Sequence, residues 1–191
     1  MRLLIDLALA VVVAVAVGVS SAWYAIDRGH IFGAVVAGGW TAWPEEGGES
    51  PDPYELAMLT RTGEVPLGNG EGLRFVADRD ASGAALSGRC TYQIAGQTPV
   101  ARLWTLTATD EAGRLMVNVA HRAGFHSREI LRRADGSFVI TASPSASSGN
   151  WLPVAPVARI KFVLRLYDTP LTTGSQIASL IMPTIRAVGC P

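Results

Sequence analysis

Ile160-Lys161-Phe162-Val163-Leu164-Arg165-Leu166-Tyr167 places apolar side chains at 160, 162, 164 and 166. A period of two is the pattern of a strand with one buried face. The alternation recurs upstream. Leu73, Phe75 and Ala77 alternate with Arg74, Val76 and Asp78; then come Cys90, Tyr92 and Ile94; Trp104, Leu106 and Ala108; Leu115, Val117 and Val119; and Phe138 and Ile140. Each run is long enough for one strand. Asp80-Ala81-Ser82-Gly83, Asp110-Glu111-Ala112-Gly113 and Ala134-Asp135-Gly136 fall between them as short polar turns, with glycine where a positive φ is needed. Roughly six to eight short strands linked by hairpins, with no helical pattern between them, predict an all-β fold: an antiparallel β-sandwich, jelly-roll-like, rather than a parallel α/β sheet.

Two helices are expected ahead of the sheet. Leu7 to Ile26 contains no charged residue and Leu7 to Val17 is wholly apolar. About 20 such residues cross a hydrocarbon core. Asp6 lies near one end, where a charge reaches the interface. Arg2 and the α-amino group precede the span and favour a cytoplasmic N-terminus, an asymmetry that Arg28 on the far flank weakens. Trp23 and Tyr24 sit where the helix meets the far interface, the usual place for amphipathic aromatic rings. The segment is either an anchor or a signal peptide cut after Ala22, with Ser20 and Ala22 as the small residues before the cut. A buried soluble helix would show a polar face, and none is present. Further on, Ser50-Pro51-Asp52-Pro53 followed by Tyr54, Ala57, Met58 and Arg61 and closed by Gly63 reads as one short helix with N-cap, early proline and C-terminal glycine in order. Its Tyr54, Ala57 and Met58 are expected to face the sheet.

These readings divide the chain into residues 1–28 as a transmembrane anchor or uncleaved signal, 29–50 as a linker and 51–191 as a β-sandwich domain. The linker begins with Ile31 to Gly39, passes through Trp40-Thr41-Ala42-Trp43-Pro44 and ends in an acidic, glycine-rich stretch. Its Glu45, Glu46 and Glu49 read as a solvated loop rather than an acid pair. Gly68-Asn69-Gly70-Glu71-Gly72 leads into a strand, lacks the helix dipole of a phosphate cradle and reads as a turn.

Arginine and lysine number 16 against 16 aspartates and glutamates, which points to no nucleic-acid partner. The expected chain crosses a membrane once, with the C-terminal domain outside the cytoplasm. The two cysteines, Cys90 and Cys190, are compatible with that compartment. They are either joined across a loop of about 100 residues or two separate buried thiols, and sequence leaves both open.

Ala101-Arg102-Leu103-Trp104-Thr105-Leu106-Thr107, the Asp110-Glu111-Ala112-Gly113 turn with Leu115 and Asn118, Arg132-Arg133-Ala134-Asp135-Gly136, Gly149-Asn150-Trp151-Leu152-Pro153 and Phe162-Val163-Leu164-Arg165-Leu166-Tyr167 stand in an order that resembles the bacterial DUF1214 family. The resemblance runs from about Gly72 to the end. It includes the close Met182-Pro183-Thr184-Ile185 with Gly189-Cys190 and the short form with one N-terminal membrane helix. It implies a jelly-roll-like β-sandwich and no assigned activity. In longer relatives the domain follows a partner called DUF1254, which this sequence does not carry, so a function needing both is not expected of it.

No catalytic constellation stands out. No serine lies in a Gly-x-Ser-x-Gly elbow. His121 and His126 flank Arg122-Ala123-Gly124-Phe125, and with His30 they are the only histidines, with no third ligand near in sequence for a metal. No cofactor is implied. Arg102, Asn118, His121, Arg122, Asn150 and Trp151 are the candidate ligand-binding residues, since guanidinium, amide and indole groups suit a polar ligand such as a sugar or carboxylate. Against this, Trp104 and Trp151 suit a core, while Asn118 and Asn150 suit turns. Three functions follow: a membrane-anchored envelope protein whose β domain binds a ligand or protein partner; a periplasmic enzyme acting on a polar small molecule or saccharide near His121 and His126; and a structural module of an envelope assembly.

Overall fold

The computed structural model describes residues 2–28, 33–48, 50–68, 70–118, 120–172 and 174–191. Helix α1 spans Arg2–Arg28, and its stretch Arg2–Ile26 is long and apolar enough to cross a membrane. After it come β1 (Val35–Ala37), β2 (Trp40–Ala42) and α2 (Pro53–Thr62). Eight further strands follow: β3 (Gly72–Ala77), β4 (Thr91–Gly96), β5 (Leu103–Asp110), β6 (Gly124–His126), β7 (Phe138–Ser143), β8 (Asn150–Pro153), β9 (Ile160–Tyr167) and β10 (Thr184–Gly189). They form a six-stranded sheet in the order β1-β2-β3-β9-β5-β6 and a four-stranded sheet in the order β10-β4-β7-β8.

The expected sandwich is present. β9 lies at the centre of the larger sheet, paired along its length with β3 and β5. Its Phe162, Leu164 and Leu166 meet Phe75, Trp104 and Leu106 in the interior, with Tyr92, Ile94, Phe138 and Ile140 supplied by the smaller sheet. Aromatic pairs join the layers: Tyr92 meets Phe162 edge-on at 6.1 Å between ring centroids, and Trp104 meets Phe138 at 5.2 Å. All strand pairings are antiparallel except β7 with β8, which run parallel, so the smaller sheet is mixed.

The three anticipated turns close as expected. Gly83, Gly113 and Gly136 all take positive φ, and each turn bridges back on itself, Arg79 to Ala85, Thr109 to Leu115 and Arg132 to Phe138. Cys90 and Cys190 are disulfide-bonded, which fastens the C-terminal end of β10 beside the start of β4.

Several expectations need correction. Leu115 and Val117 form no strand: Leu115 makes a single bridge and Val117 is exposed, while Val119 lies outside the described residues. β6 instead occupies the edge of β5. The Asn118 side chain draws the intervening segment into a loop, donating to the Met116 and Arg122 carbonyls and accepting from the Arg122 N–H. Helix α2 has its cap, with Asp52 accepting from the Tyr54 N–H and Gly63 left-handed, but the residues it buries are Met58 and Leu59 while Tyr54 is exposed. The segment read as a connector carries β1 and β2. There Trp40 is fully buried and donates through Nε1 to the Pro183 carbonyl at 2.7 Å. Glu46 is buried rather than solvated, Glu45 is exposed, and Glu49, His30, Ile31 and Asn69 lie outside the described residues.

Candidate functional site

Alternation fixes what the six-stranded sheet shows to the outside. With Trp104, Leu106, Leu164 and Leu166 turned inward, the register sets Gly72, Tyr167 and Leu103 in one outward row and Arg74, Arg165, Thr105 and His126 in the next. A cleft of about 610 Å³ opens on this face. Leu103, Thr105 and Tyr167 line it from the strands, Arg102 and Asp168 from the ends of β5 and β9, Glu71 from the segment entering β3, and His126 and Arg128 from β6 and the turn beyond it.

Backbone bonds hold the rim. Asp168 takes a left-handed backbone, φ 49°, a conformation that aspartate tolerates better than most residues. Its N–H donates to the Glu71 carbonyl at 2.8 Å, and its own carbonyl accepts from the Arg102 N–H at 3.3 Å. The three chain segments at this end of the sheet are thereby tied together. Side-chain pairing is looser. Arg102 Nη1 lies 3.6 Å from Asp168 Oδ2 with both groups largely in solvent, a contact worth little by itself. Glu71 Oε2 accepts from the Gly68 N–H. Arg128 has no side-chain partner among the described residues. Nδ1 of His126 accepts from the Arg128 N–H at 3.3 Å, which leaves Nε2 to carry the proton of the neutral ring, 3.5 Å from Glu129. The lining thus carries two guanidinium groups, Arg102 and Arg128, two carboxylates, Glu71 and Asp168, and the apolar surface of Leu103 and Tyr167.

Beside the cleft the same face is closed by ion pairs. Arg74 and Arg165 are direct cross-strand neighbours, an arrangement that repels. Glu64 sits between them, 2.6 Å from Arg74 Nη1 and 3.6 Å from Arg165 Nη2. Arg74 also holds Glu46 through Nε at 3.1 Å and through Nη2. Glu46 is 4% exposed and Arg74 6%. Burial pushes the Glu46 carboxyl above its ordinary value, while the Arg74 charge and hydrogen bonds pull it back. This cluster clips the 43–68 segment onto the sheet.

Of the six candidate ligand-binding residues only Arg102 lines the cleft, joined there by His126, which the sequence offers with His121 for an enzymatic site. Asn118, His121 and Arg122 share a separate loop, where His121 has φ 50° and the Arg122 guanidinium lies 4.5 Å over the Phe125 ring. Asn150 is buried in the smaller sheet, its amide donating to the Leu131 and Val139 carbonyls and accepting from the Leu131 N–H. Trp151, next to it, donates to the Ser143 carbonyl. Tyr167, Thr105 and Leu103 are the outward half of alternations whose inward half marks the core, and that outward register is their signal in the sequence. Among the described residues no three His, Cys, Asp or Glu side chains gather as a metal site.

The profile of a family described as a protein of unknown function, DUF1214, matches residues 71–171, 101 of the 191 residues. The chain belongs to the DUF1214 family. The matched stretch runs from β3 into the segment after β9, so both strands flanking the cleft and the whole cleft lining fall inside the DUF1214 domain. A crystal structure of a protein from Vibrio parahaemolyticus is similar, with a TM-score of 0.58 and 23% identity over 72% of this chain and 36% of that one. That likeness concerns the fold, and this chain spans little more than a third of the Vibrio protein. A crystal structure of an uncharacterized protein from Burkholderia cenocepacia matches at a TM-score of 0.41 and 14% identity, over 88% of this chain and 40% of that one. No curated protein matches the chain.

Proposed function

We propose that this DUF1214 protein is a single-pass protein of the bacterial inner membrane whose β domain lies in the periplasm and binds a small ligand with an anionic group and an apolar body. The ligand class rests on the cleft, whose lining joins Arg102 and Arg128, the latter without a side-chain partner among the described residues, to the apolar surface of Leu103 and Tyr167, with the carboxylates of Glu71 and Asp168 at its rim. A carboxylate is met by guanidinium groups, and a ring or short chain covers the floor. The apolar α1 and the disulfide support the location, since disulfides persist in oxidising compartments. Nothing in the balanced charge of 16 against 16 recommends a nucleic acid.

Calorimetry on the full chain in lipid nanodiscs, with a series of aliphatic and aromatic carboxylates and their neutral amides, tests the reading. Carboxylates are expected to bind more tightly than their amides. Arg102→Ala and Arg128→Ala are each expected to weaken them by about tenfold, the equivalent of ~1.4 kcal/mol for a lost charged hydrogen bond. Equal binding of acid and amide, or unchanged affinity in both variants, refutes it.

A further inference from the structure

We infer that the β domain does not hang free of its anchor but rests on the outer surface of the bilayer through one face of α2 and the segment that follows it. The inference depends on α1 spanning the membrane. Only six residues separate Arg28, the last of α1, from Val35, the first of β1, so the sheet begins within about 25 Å of the end of the span even if they are fully extended. The Trp23 ring, three residues before the end of the apolar stretch, is then at the level of the headgroups. The Arg61 guanidinium lies 4.7 Å over that ring. This cation–π contact brings the last turn of α2 to the same level.

Three directions around α2 are then accounted for. Met58 and Leu59 point into the protein, Arg61 points to α1, and Leu56 with Thr60, four residues apart on one face, remains exposed. Leu56 is 53% exposed and Val65 83%. They line one groove of about 500 Å³ together with Pro51, Leu59 and Pro66, and its two carboxylates, Glu46 and Glu64, are neutralised by Arg74. A proline-flanked apolar rim placed beside a headgroup-level tryptophan matches the shallow insertion of interfacial segments, with Leu56 and Val65 at the acyl boundary and Arg61 near lipid phosphates. The occupant of this surface is the leaflet that α1 itself enters.

The disulfide leaves no free thiol among the described cysteines, so a single introduced cysteine is specific. Full-length protein carrying Leu56→Cys, Val65→Cys, Val117→Cys or Val13→Cys is labelled with an environment-sensitive fluorophore and placed in nanodiscs of phosphatidylethanolamine and phosphatidylglycerol. Val13 reports the span, and Val117, exposed on the loop between β5 and β6 at the opposite edge of the six-stranded sheet from β1, reports a surface away from α2. The expected result is blue-shifted emission at 13, 56 and 65, quenched by nitroxide on the acyl chains and not by iodide, with 117 quenched by iodide alone. Iodide quenching at 56 and 65 equal to that at 117, with 13 still protected, overturns the inference and leaves the anchor standing. Equal lipid protection at 56, 65 and 117 also overturns it, because no face is then selected. An aqueous signal at 13 sinks the membrane span and the inference with it.

Discussion

Replacing Arg74 by methionine removes the cation that two carboxylates share. Arg74 donates to both oxygens of Glu46 and to Glu64, and neither Arg74 nor Glu46 has more than 6% of its surface in water. Glu64 keeps Arg165 and is a quarter exposed, so it can hydrate. Glu46 cannot. Taking one partner from a buried pair leaves the other charge uncompensated, at a cost of about 3–5 kcal/mol. For a chain of this size each kcal/mol moves the melting temperature by about 2–4 °C, so Arg74→Met is expected to lower it by roughly 6–20 °C. The double variant Glu46→Leu with Arg74→Met removes both charges and is expected to be the more stable of the two. The deficit also has a sign with pH. Burial already raises the Glu46 carboxyl above its ordinary value of 4.5, and loss of Arg74 raises it further. A carboxyl raised in the folded state contributes stability that is fully present below the unfolded value and is lost as pH rises through the folded one. Arg74→Met is therefore expected to lag the wild type less at pH 5 than at pH 8. Thermal unfolding followed by tryptophan fluorescence in nanodiscs reads both quantities. A shift of only a degree or two, or the same deficit at both pH values, refutes the reasoning.

Other predictions concern the staple and the turns. Cys90→Ser with Cys190→Ser opens a closure between residues 100 apart in sequence and is expected to cost about 4–5 kcal/mol by loop entropy, read as a lower melting temperature that reductant no longer changes. Asp80 and Asp135 each accept from a serine hydroxyl and from backbone N–H groups, which lowers both carboxyls below 3.8. Stability from such groups is present above the unfolded value and lost as pH falls through the folded one. Asp80→Asn with Asp135→Asn is expected to flatten the decline in melting temperature on acidification below about pH 4, and an unchanged slope contradicts the assignment. Asp135 is exposed and Asp80 half-buried in a surface turn, so the effect is small.

The sandwich was legible because strands buried on one face write a period of two, as in Leu73, Phe75 and Ala77 or Phe162, Leu164 and Leu166, and because aspartate and glycine mark the turns at 80, 110 and 135. Leu115 and Val117 show the limit of that signal: alternation without a partner strand makes no strand, and the neighbouring edge of β5 went to β6. Trp40 stands in a stretch that reads as linker, since the residues that bury it are distant in sequence, with Pro183 the acceptor of its indole N–H. Glu46 was hidden for the same reason, as its partner Arg74 lies 28 residues on. The cleft was the least legible part. Its residues come from the two ends and the middle of the matched stretch, at 71, 102–128 and 167–168, and meet only through the β3-β9-β5-β6 register. Asn150 looked like a ligand group and proves to be a backbone clip between the smaller sheet and the Leu131 segment.

The central claim is an anchored domain outside the cytoplasm, and thiol labelling in intact bacteria tests it most directly. Cells producing the full chain are treated with a membrane-impermeant maleimide, with and without an impermeant reductant. Cys90 and Cys190 are expected to stay unlabelled until reductant is added and both to be labelled afterwards. Thiols that stay unlabelled after reduction in intact cells yet react without reductant once the cells are broken would put the domain in the cytoplasm and contradict the claim.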